Sequence, residues 1–234
     1  MEGRQPSPGK GLRQAFEELG PTFIKLGQML STRSDIVGLD VTTELGRLQD
    51  EVPGIPFDHV RKQIESELEC SVDAAFDSIE ETPIAAASIG QVHRAVLDGH
   101  EVVVKVMRLG IESTVKTDLE ILYQVARIAR DRYRTDLFDP LEVVEDFARH
   151  MRRELDYTVE ARNAERFREN VSKEPQVHVP RVYWSHTTSR LLTLELVAGT
   201  KVSQIDELKA KGVDLQDVAR RGARSFMQQV MIHG

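Results

Sequence analysis

The chain has 234 residues, of which 40% are hydrophobic and 29% charged, a balance typical of a soluble globular protein with one or two domains. Its formal net charge is −7 and its basic residues are interleaved with acidic ones, which argues against nucleic acid as a partner. The single cysteine, Cys70, cannot form an internal disulfide, which favours a reducing, cytoplasmic location. There is no secretory h-region and no apolar run near the roughly 18 residues that cross a bilayer, so we expect at most contact with a membrane surface.

The first third of the sequence predicts a tail followed by helices. Residues 1–10 are rich in Pro, Gly and Ser, which indicates a disordered tail. In the helix that begins at Pro21, Lys25 and Gln28 share a polar side, and Gly27 lowers helix stability by roughly 1 kcal/mol relative to Ala, which hints at close approach of another backbone. The other predicted helices are 12–19, 41–49, 57–69 and a short turn over 72–76.

The stretch from Pro83 to Val106 predicts two β-strands joined by Asp98-Gly99, a dipeptide typical of a two-residue hairpin. With the turn at that dipeptide, antiparallel register places Val92 opposite Lys105, on one face of the hairpin. A loop of small residues precedes the first strand, and we expect it to arch over that face; it consists of Ala85, Ala86, Ala87, Ser88, Ile89 and Gly90.

Small residues let backbone N–H groups approach an anion, and a nearby lysine adds positive charge, so the pattern is compatible with a nucleotide triphosphate. It can be aligned with the kinase pattern G-x-G-x-x-G-x-V followed by a strand lysine, through Ala85, Ala87, Gly90, Val92 and Lys105. A Walker loop would require Gly-Lys-Ser/Thr leading into a helix, and the sequence has none. An ordinary surface hairpin with one exposed lysine remains the alternative.

After the hairpin the sequence predicts long helices, a strand and a last helix. A lysine under such a loop needs a carboxylate, and the second long helix, which we predict to run unbroken from Asp139-Pro140 to Phe167, contains Glu154, Asp156 and Glu160. Mixed acids and bases on a helix are also typical of a solvated surface. The remaining predicted elements are a helix over 111–133 with Val115, Leu119, Leu122, Val125, Ile128 and Ala129 on its apolar side, a strand beginning near 179–184, a strand over 191–197, and a helix over 215–233 capped by Asp214 with Val218, Phe226, Val230 and Met231 on its apolar side.

Strand 191–197 ends at Ala198-Gly199 and is similar to the strand and hinge that border a kinase adenine site, where backbone groups of Glu195 and Val197 would face the base. The seven histidines form no i, i+4 pair and no cysteine cluster accompanies them, so we expect no metal site from them. No Gly-x-Ser-x-Gly elbow or Cys/His nucleophile pattern is present.

Three blocks together resemble signatures of the UbiB/AarF family of atypical kinase-like proteins. In that family a K-x-G-Q helix, an alanine-rich loop in place of the glycine loop, and an E-x-D motif occur in this order. The blocks are Lys25-Leu26-Gly27-Gln28, AAASIGQVH at 85–93, and ELDYTVEA at 154–161.

The resemblance implies an α+β fold with a protein-kinase-like N-lobe, made of a small antiparallel sheet plus helices, preceded by a helical extension. The implied division is a disordered tail (1–10), the extension (11–81), the N-lobe (82–198), and the hinge with the start of a C-lobe (199–234). On this division residue 234 would lie just before the family's catalytic aspartate and metal-binding residues, so the chain would be truncated.

The resemblance also implies site roles. Lys105 would pair with a helix glutamate, Glu160 in preference to Glu154, in catalysis. Lys25, Gly27, Gln28 and Asp156 would be regulatory, with Lys25 and Gln28 facing Glu154 and Asp156. The implied nucleotide-binding residues are Ala85, Ala86, Ala87, Ser88, Gly90, Val92, Lys105, Glu195 and Val197.

The implied function is ATP-dependent support of ubiquinone (coenzyme Q) biosynthesis, with ATP and Mg²⁺ as cofactors and with a lipid, a quinone precursor or a membrane surface as further partners. Val103 stands where the family usually has alanine, which we expect to narrow the adenine site. A non-catalytic pseudokinase-like scaffold, or a module that binds a lipid or a partner, is the alternative.

Overall fold

The computed structural model describes residues 7–48, 53–132, 138–172 and 174–233. It is an α+β protein in which one small antiparallel sheet lies between groups of helices. The helices are α1 (Pro8–Leu19), α2 (Pro21–Leu30), α3 (Ser34–Val37), α4 (Leu39–Leu45), α5 (Phe57–Leu68), α6 (Val72–Ala75), α7 (Ile111–Arg132), α8 (Pro140–Glu154), α9 (Tyr157–Asn170), α10 (Ile205–Ala210) and α11 (Leu215–Gln228).

The N-terminal extension starts earlier than its sequence predicts. The Ser7 hydroxyl accepts a hydrogen bond from the Lys10 amide, and proline occupies the first turn, so α1 begins at Pro8 and residues 8–10 of the predicted tail are helical. Residues 1–6 lie outside the described residues. Helix α2 begins at Pro21 as predicted, whereas α3 and α10 were not predicted.

The sheet contains β1 (Ser78–Ile79), β2 (Ala85–Ala86), β3 (Gly90–Leu97), β4 (His100–Met107) and β5 (Leu191–Glu195). Its order is β1-β3-β4-β5, and β2 also pairs with β3. At the β3–β4 turn, Asp98 and Gly99 both have positive φ, 50° and 74°, as the predicted tight hairpin requires. The predicted register is confirmed, since Val92 lies opposite Lys105.

The two faces of the β3–β4 hairpin contact different helices. On one face, which we call the closed face, Val102, Val104 and Val106 are fully buried in a core with α5 and α6. On the other, which we call the site face, Gly90 and Lys105 lie next to Tyr157 of α9. The core on the site face also contains side chains of the extension and of α7 to α9, including Phe23, Leu26, Phe147, Met151 and Tyr157.

The predicted single helix through residues 139–167 is wrong. Helix α8 ends at Glu154, and α9 starts at Tyr157. Between them, the Asp156 carboxylate accepts hydrogen bonds from the Thr158 amide (3.0 Å) and hydroxyl (2.7 Å), while the Tyr157 amide donates to the Ser189 carbonyl (2.9 Å). These bonds replace the helical ones, so Asp156 is an N-cap and does not share a helical face with Glu160.

The later elements depart from prediction mostly at their ends. In place of the strand predicted near 179–184 there is one bridge from Val182 to Leu194 and a 3₁₀ turn, Trp184–His186. Strand β5 ends at Glu195, before Val197. The carboxylate of Asp214 caps α11 as predicted, by accepting from the Gln216 and Asp217 amides.

Two predicted apolar faces are partly exposed. Helix α7 buries Val115 and Leu122, but Val125 and Ile128 are exposed, and its predicted residue 133 lies outside the described residues. Helix α11 has no buried residue; Phe226, Val230 and Met231 on its predicted apolar side are exposed, and the backbone turns to π-helix over Gln229–His233. Within the described ranges, no helix is both long enough and apolar enough to cross a membrane.

Candidate functional site

Lys105 lies at the centre of the candidate site. It projects from β4 on the site face, and its Nζ donates to Glu160 Oε2 at 2.7 Å. The same Nζ lies 4.5 Å from the centre of the Tyr157 ring, within the range of a cation–π contact. Tyr157 and Glu160 are three residues apart on α9 and therefore share a helical face, so one helix holds the ammonium group from two directions.

Tyr157 is almost completely buried, and burial together with the nearby Glu160 and Glu154 carboxylates raises the pKa of its hydroxyl. The phenol is therefore neutral, and its ring keeps the electron-rich face that attracts the Lys105 ammonium. Among the described residues, the hydroxyls of Tyr157 and of buried Ser88 have no hydrogen-bond partner. Two polar atoms close to the alanine-rich loop are thus unsatisfied in this state of the protein.

A second ion pair joins the extension to α8. Lys25 Nζ lies 3.8 Å from Glu154 Oε2, and His150 Nε2 lies 3.7 Å from the other oxygen of the same carboxylate. The predicted contact between Lys25 and Glu154 is therefore present. Lys25 is largely shielded from solvent, with 16% of its side chain exposed, so the extension contacts α8 through a mostly buried ammonium group.

Lys105 and Glu160 of the first pair, and Glu154 of the second, line one cavity of about 370 Å³. It contains basic and acidic groups side by side. None of its lining residues comes from the alanine-rich loop. The lining residues are Lys105, His150, Arg153, Glu154, Val159, Glu160 and Asn163.

The other two residues of the K-x-G-Q motif have packing roles. Gln28 Nε2 donates to the Leu48 carbonyl at 3.3 Å, so this bond lies within the extension and does not reach Glu154 or Asp156. A Cβ on Gly27 would overlap Leu48 Cδ1 and would lie 2.7 Å from Phe16 Cδ2. Glycine at position 27 leaves space for two apolar side chains, whereas the sequence predicted close approach of another backbone.

The alanine-rich segment is a tight hairpin at the edge of the sheet. Ala85 pairs with Val92 and Ala86 with Gln91, and the Ala87 amide donates to the Gly90 carbonyl at 2.8 Å. A Cβ on Gly90 would overlap the Tyr157 hydroxyl and would lie 2.6 Å from the Val106 carbonyl oxygen. Glycine is therefore required at the end of the loop because α9 and β4 leave no space for a side chain.

Glu195 and Val197, the two residues predicted to face an adenine base, differ in their surroundings. The Glu195 amide donates to the Arg181 carbonyl at 2.9 Å, so it cannot face an adenine base. Its carboxylate accepts from the Arg181 amide and from His178, and these bonds lower its pKa. Val197 lies beyond the strand with 49% of its surface exposed.

Sequence reasoning missed two residues that contact predicted site residues. Tyr157 contacts Lys105, and the spacing Tyr-x-x-Glu on a helix would have placed it beside Glu160. Arg108, three residues after Lys105, donates from Nε to the Ala87 carbonyl at 3.1 Å. No local pattern indicates that bond, because it depends on how the loop folds back onto the sheet.

A small antiparallel sheet whose strand lysine pairs with a glutamate on the helix behind it defines the N-lobe of a kinase-like protein. The family described as ABC1 atypical kinase-like domain matches residues 47–234, and the chain belongs to this family. This confirms the resemblance seen in the three sequence blocks.

Similar proteins agree with that assignment. "Probable protein kinase UbiB" of Aeromonas hydrophila is 41% identical over 95% of this chain and 41% of its own length. "Protein ACTIVITY OF BC1 COMPLEX KINASE 7, chloroplastic" of Arabidopsis thaliana is 39% identical over 100% of this chain and 34% of its own. Among solved structures, the complex of Rv3197 with erythromycin from Mycobacterium tuberculosis has a TM-score of 0.57 and 28% identity, over 65% of this chain and 38% of that one. The chain thus spans roughly two fifths of the length of the curated relatives it matches.

Proposed function

We propose that this chain is the ATP-binding part of a UbiB-type atypical kinase or ATPase that supports ubiquinone biosynthesis. The observation that carries the proposal is the Lys105–Glu160 pair, 2.7 Å long and formed between the hairpin and the helix behind it. Lys105 would contact the nucleotide phosphates, and Glu160 would hold its ammonium in position. The alanine-rich loop from Ala85 to Gly90 would close over the phosphates.

The energetics of the pair favour a ligand-binding role over a structural one. Half of the Glu160 side chain is exposed, and an ion pair this accessible contributes at most about 1 kcal/mol to stability. Yet Lys105 is also held by Tyr157, at a contact that keeps its charge next to a cavity. The Lys105–Glu160 pair adds little to stability, yet two side chains hold the lysine. Such an arrangement is expected where the position of the charge matters for binding a ligand.

The residues present suit the nucleotide better than they suit a metal. A lysine with a fixed ammonium and a loop of small residues can bind phosphate oxygens. By contrast, the described residues contain no group of three or more His, Cys, Asp or Glu side chains that could hold Mg²⁺. The proposal for these residues therefore ends at nucleotide binding, and no phosphoryl-transfer step is assigned to them.

The first experiment compares nucleotide affinity between the wild-type chain, Lys105→Ala and the control Lys62→Ala, which removes an exposed lysine of α5. We expect Lys105→Ala to weaken ATP binding at least tenfold, because a charge-assisted hydrogen bond is worth about 1.5–3 kcal/mol. Lys62→Ala should bind as the wild type does. Equal affinities for all three proteins would contradict the proposal.

The alternative is a scaffold that binds a protein or lipid partner and no nucleotide. The contact between Lys25 and Glu154 favours it, because it joins the extension to a carboxylate that lines the cavity. Hydrogen exchange with and without ATP separates the two functions. Protection over residues 85–105 supports nucleotide binding, and no protection anywhere supports the scaffold.

A further inference from the structure

The segment of the extension that immediately precedes α5 is attached to the sheet by a glutamine side chain. The Ile55 amide donates to Gln91 Oε1 at 2.9 Å, and Gln91 Nε2 donates to the Ile55 carbonyl at 3.3 Å. Gln91 is buried, and its amide pairs with Ile55 as a neighbouring strand would. Residues 53–56, which we call the connector, are therefore fixed next to the start of β3.

The connector is also attached to Arg108, and so is the alanine-rich loop. Arg108 Nη2 donates to the Pro53 carbonyl at 2.8 Å, while its Nε donates to the Ala87 carbonyl at 3.1 Å. The Arg108 backbone amide adds a bond to the Ile89 carbonyl at 2.9 Å. One residue thus binds the loop at two carbonyls and the connector at a third.

The chemistry of the side chain explains why arginine suits this position. A guanidinium group has donors on separate edges of one rigid plane, so it can hold two carbonyl groups at a fixed distance from each other. A lysine ammonium on a flexible stem does not impose that geometry. Arg108 is half-buried, and the burial lowers the pKa of its guanidinium group. Arginine side chains stay protonated in proteins, so the group carries a charge.

Other restraints on the exposed side of the loop are weak. Ala85 is exposed, and Ala86 and Ala87 have methyl side chains that bury little apolar area. Ser88 and Ile89 in the second half of the loop are buried, so it is the first half, with few buried contacts, that opens locally at low free energy. The bonds from Arg108 are therefore a large part of what determines where the Ala87 carbonyl lies.

We propose that Arg108 is a positioning residue that couples the helical extension to the alanine-rich loop. A displacement of the connector breaks the Pro53 bond and releases the guanidinium, which frees Ala87 and lets the loop open. The extension thereby acts on the nucleotide site through the loop, in addition to its direct contact at Glu154. The effect on nucleotide affinity rests on the proposed function. The coupling between the connector and the loop does not, because it is a property of the nucleotide-free protein.

The test uses the full chain and three variants, Arg108→Ala, Arg108→Lys and the control Arg127→Ala, which removes an exposed arginine of α7. Hydrogen exchange is measured without nucleotide over residues 53–57 and 84–91. We expect Arg108→Ala to exchange about tenfold faster over both segments, since one charge-assisted hydrogen bond to each is lost. Arg108→Lys should restore protection in one segment only, and Arg127→Ala should match the wild type.

Nucleotide affinity is the second readout. We expect Arg108→Ala to weaken ATP binding about fivefold, because a loop that is not held in its bound position must be ordered when the ligand binds. Arg108→Lys should lie between it and the wild type. Faster exchange over 84–91 alone would show that Arg108 holds the loop without coupling it, and unchanged exchange over both segments would overturn the proposal. If Arg108→Ala does not fold, Arg108→Lys decides by the same comparison. If the wild type binds no nucleotide, the proposed function fails while the exchange data still decide the coupling.

Discussion

The closed face and the site face of the hairpin alternate along the same strands, yet they differ in how completely they are covered. On the closed face Val102, Val104 and Val106 have no exposed surface, whereas Val103 and Lys105 between them are half-buried. Because successive residues of a strand point to opposite sides, a single hairpin can supply both surfaces. The comparison indicates that α5 and α6 stabilise the sheet, which leaves the opposite face free to carry charged groups beside a cavity.

The largest expected change in the free energy of unfolding comes from replacing a leucine of β5, and two leucines on its opposite faces allow a comparison. Leu191 is fully buried on the closed face, and Leu194 is half-buried on the site face. We expect Leu191→Ala to lower the free energy of unfolding by about 3 kcal/mol and Leu194→Ala by about 1 kcal/mol, because the first leaves a cavity in a close-packed core. Urea denaturation measures both. Equal losses would mean that the two faces do not differ in packing.

A smaller loss is expected from Gly90→Ala on the site face. The new Cβ would lie 2.6 Å from the Val106 carbonyl oxygen and would overlap the Tyr157 hydroxyl, so β4 or α9 must move. We expect a cost of about 2 kcal/mol in the free energy of unfolding. Gly11→Ala is the control, since no atom other than the neighbouring backbone of its own helix lies within 4 Å of its Cβ position. If both substitutions are tolerated equally, α9 does not press on the loop as described.

The smallest expected effect is the pH dependence of stability caused by His93, a histidine buried on the closed face. His93 is fully buried, and burial holds its pKa below the usual 6.5. Its Nδ1 bonds the Glu80 carbonyl, so in the neutral ring Nε2 is the acceptor for Gln91 Nε2 at 2.9 Å. The ring packs on Phe57, which Arg61 covers, so a second positive charge there is unfavourable.

Because the folded pKa of His93 is the lower one, the unfolded chain binds more protons below pH 6.5, and stability falls as the pH decreases through that value. One histidine contributes a slope of at most about 1.4 kcal/mol per pH unit. Urea denaturation at pH 7.5, 6.5 and 5.5 measures it. The slope should shrink in His93→Gln and persist in His100→Gln, which changes an exposed histidine. A slope that His93→Gln leaves unchanged would remove His93 as its source.

The parts of the fold that follow from local chemistry were predictable. The Asp98-Gly99 turn sets the register, and Asp214 and Pro21 mark helix starts through capping and a fixed φ. The break at Asp156 was not predictable from periodicity, because the apolar pattern of α8 continues into α9 in sequence. What interrupts it is a capping carboxylate and a bond to the distant Ser189 carbonyl.

The same division applies to the site. The partners Lys105–Glu160 and Lys25–Glu154 were expected from the family resemblance, and their contacts are present. Gln28 was expected to face Glu154 and Asp156, but Gln28 donates to the Leu48 carbonyl and Asp156 accepts from Thr158, within their own segments. The bonds of Arg108 connect residues 21 and 55 positions away, and such contacts follow from tertiary folding alone.

Because the helix is interrupted at Asp156, Glu154 and Glu160 belong to two separate helices, α8 and α9. A tilt of α9 about this joint would lengthen the Lys105–Glu160 pair while leaving Lys25–Glu154 intact, and a tilt of α8 would do the reverse. The lengths of the two ion pairs can therefore change independently, whereas one continuous helix carrying both glutamates would couple them.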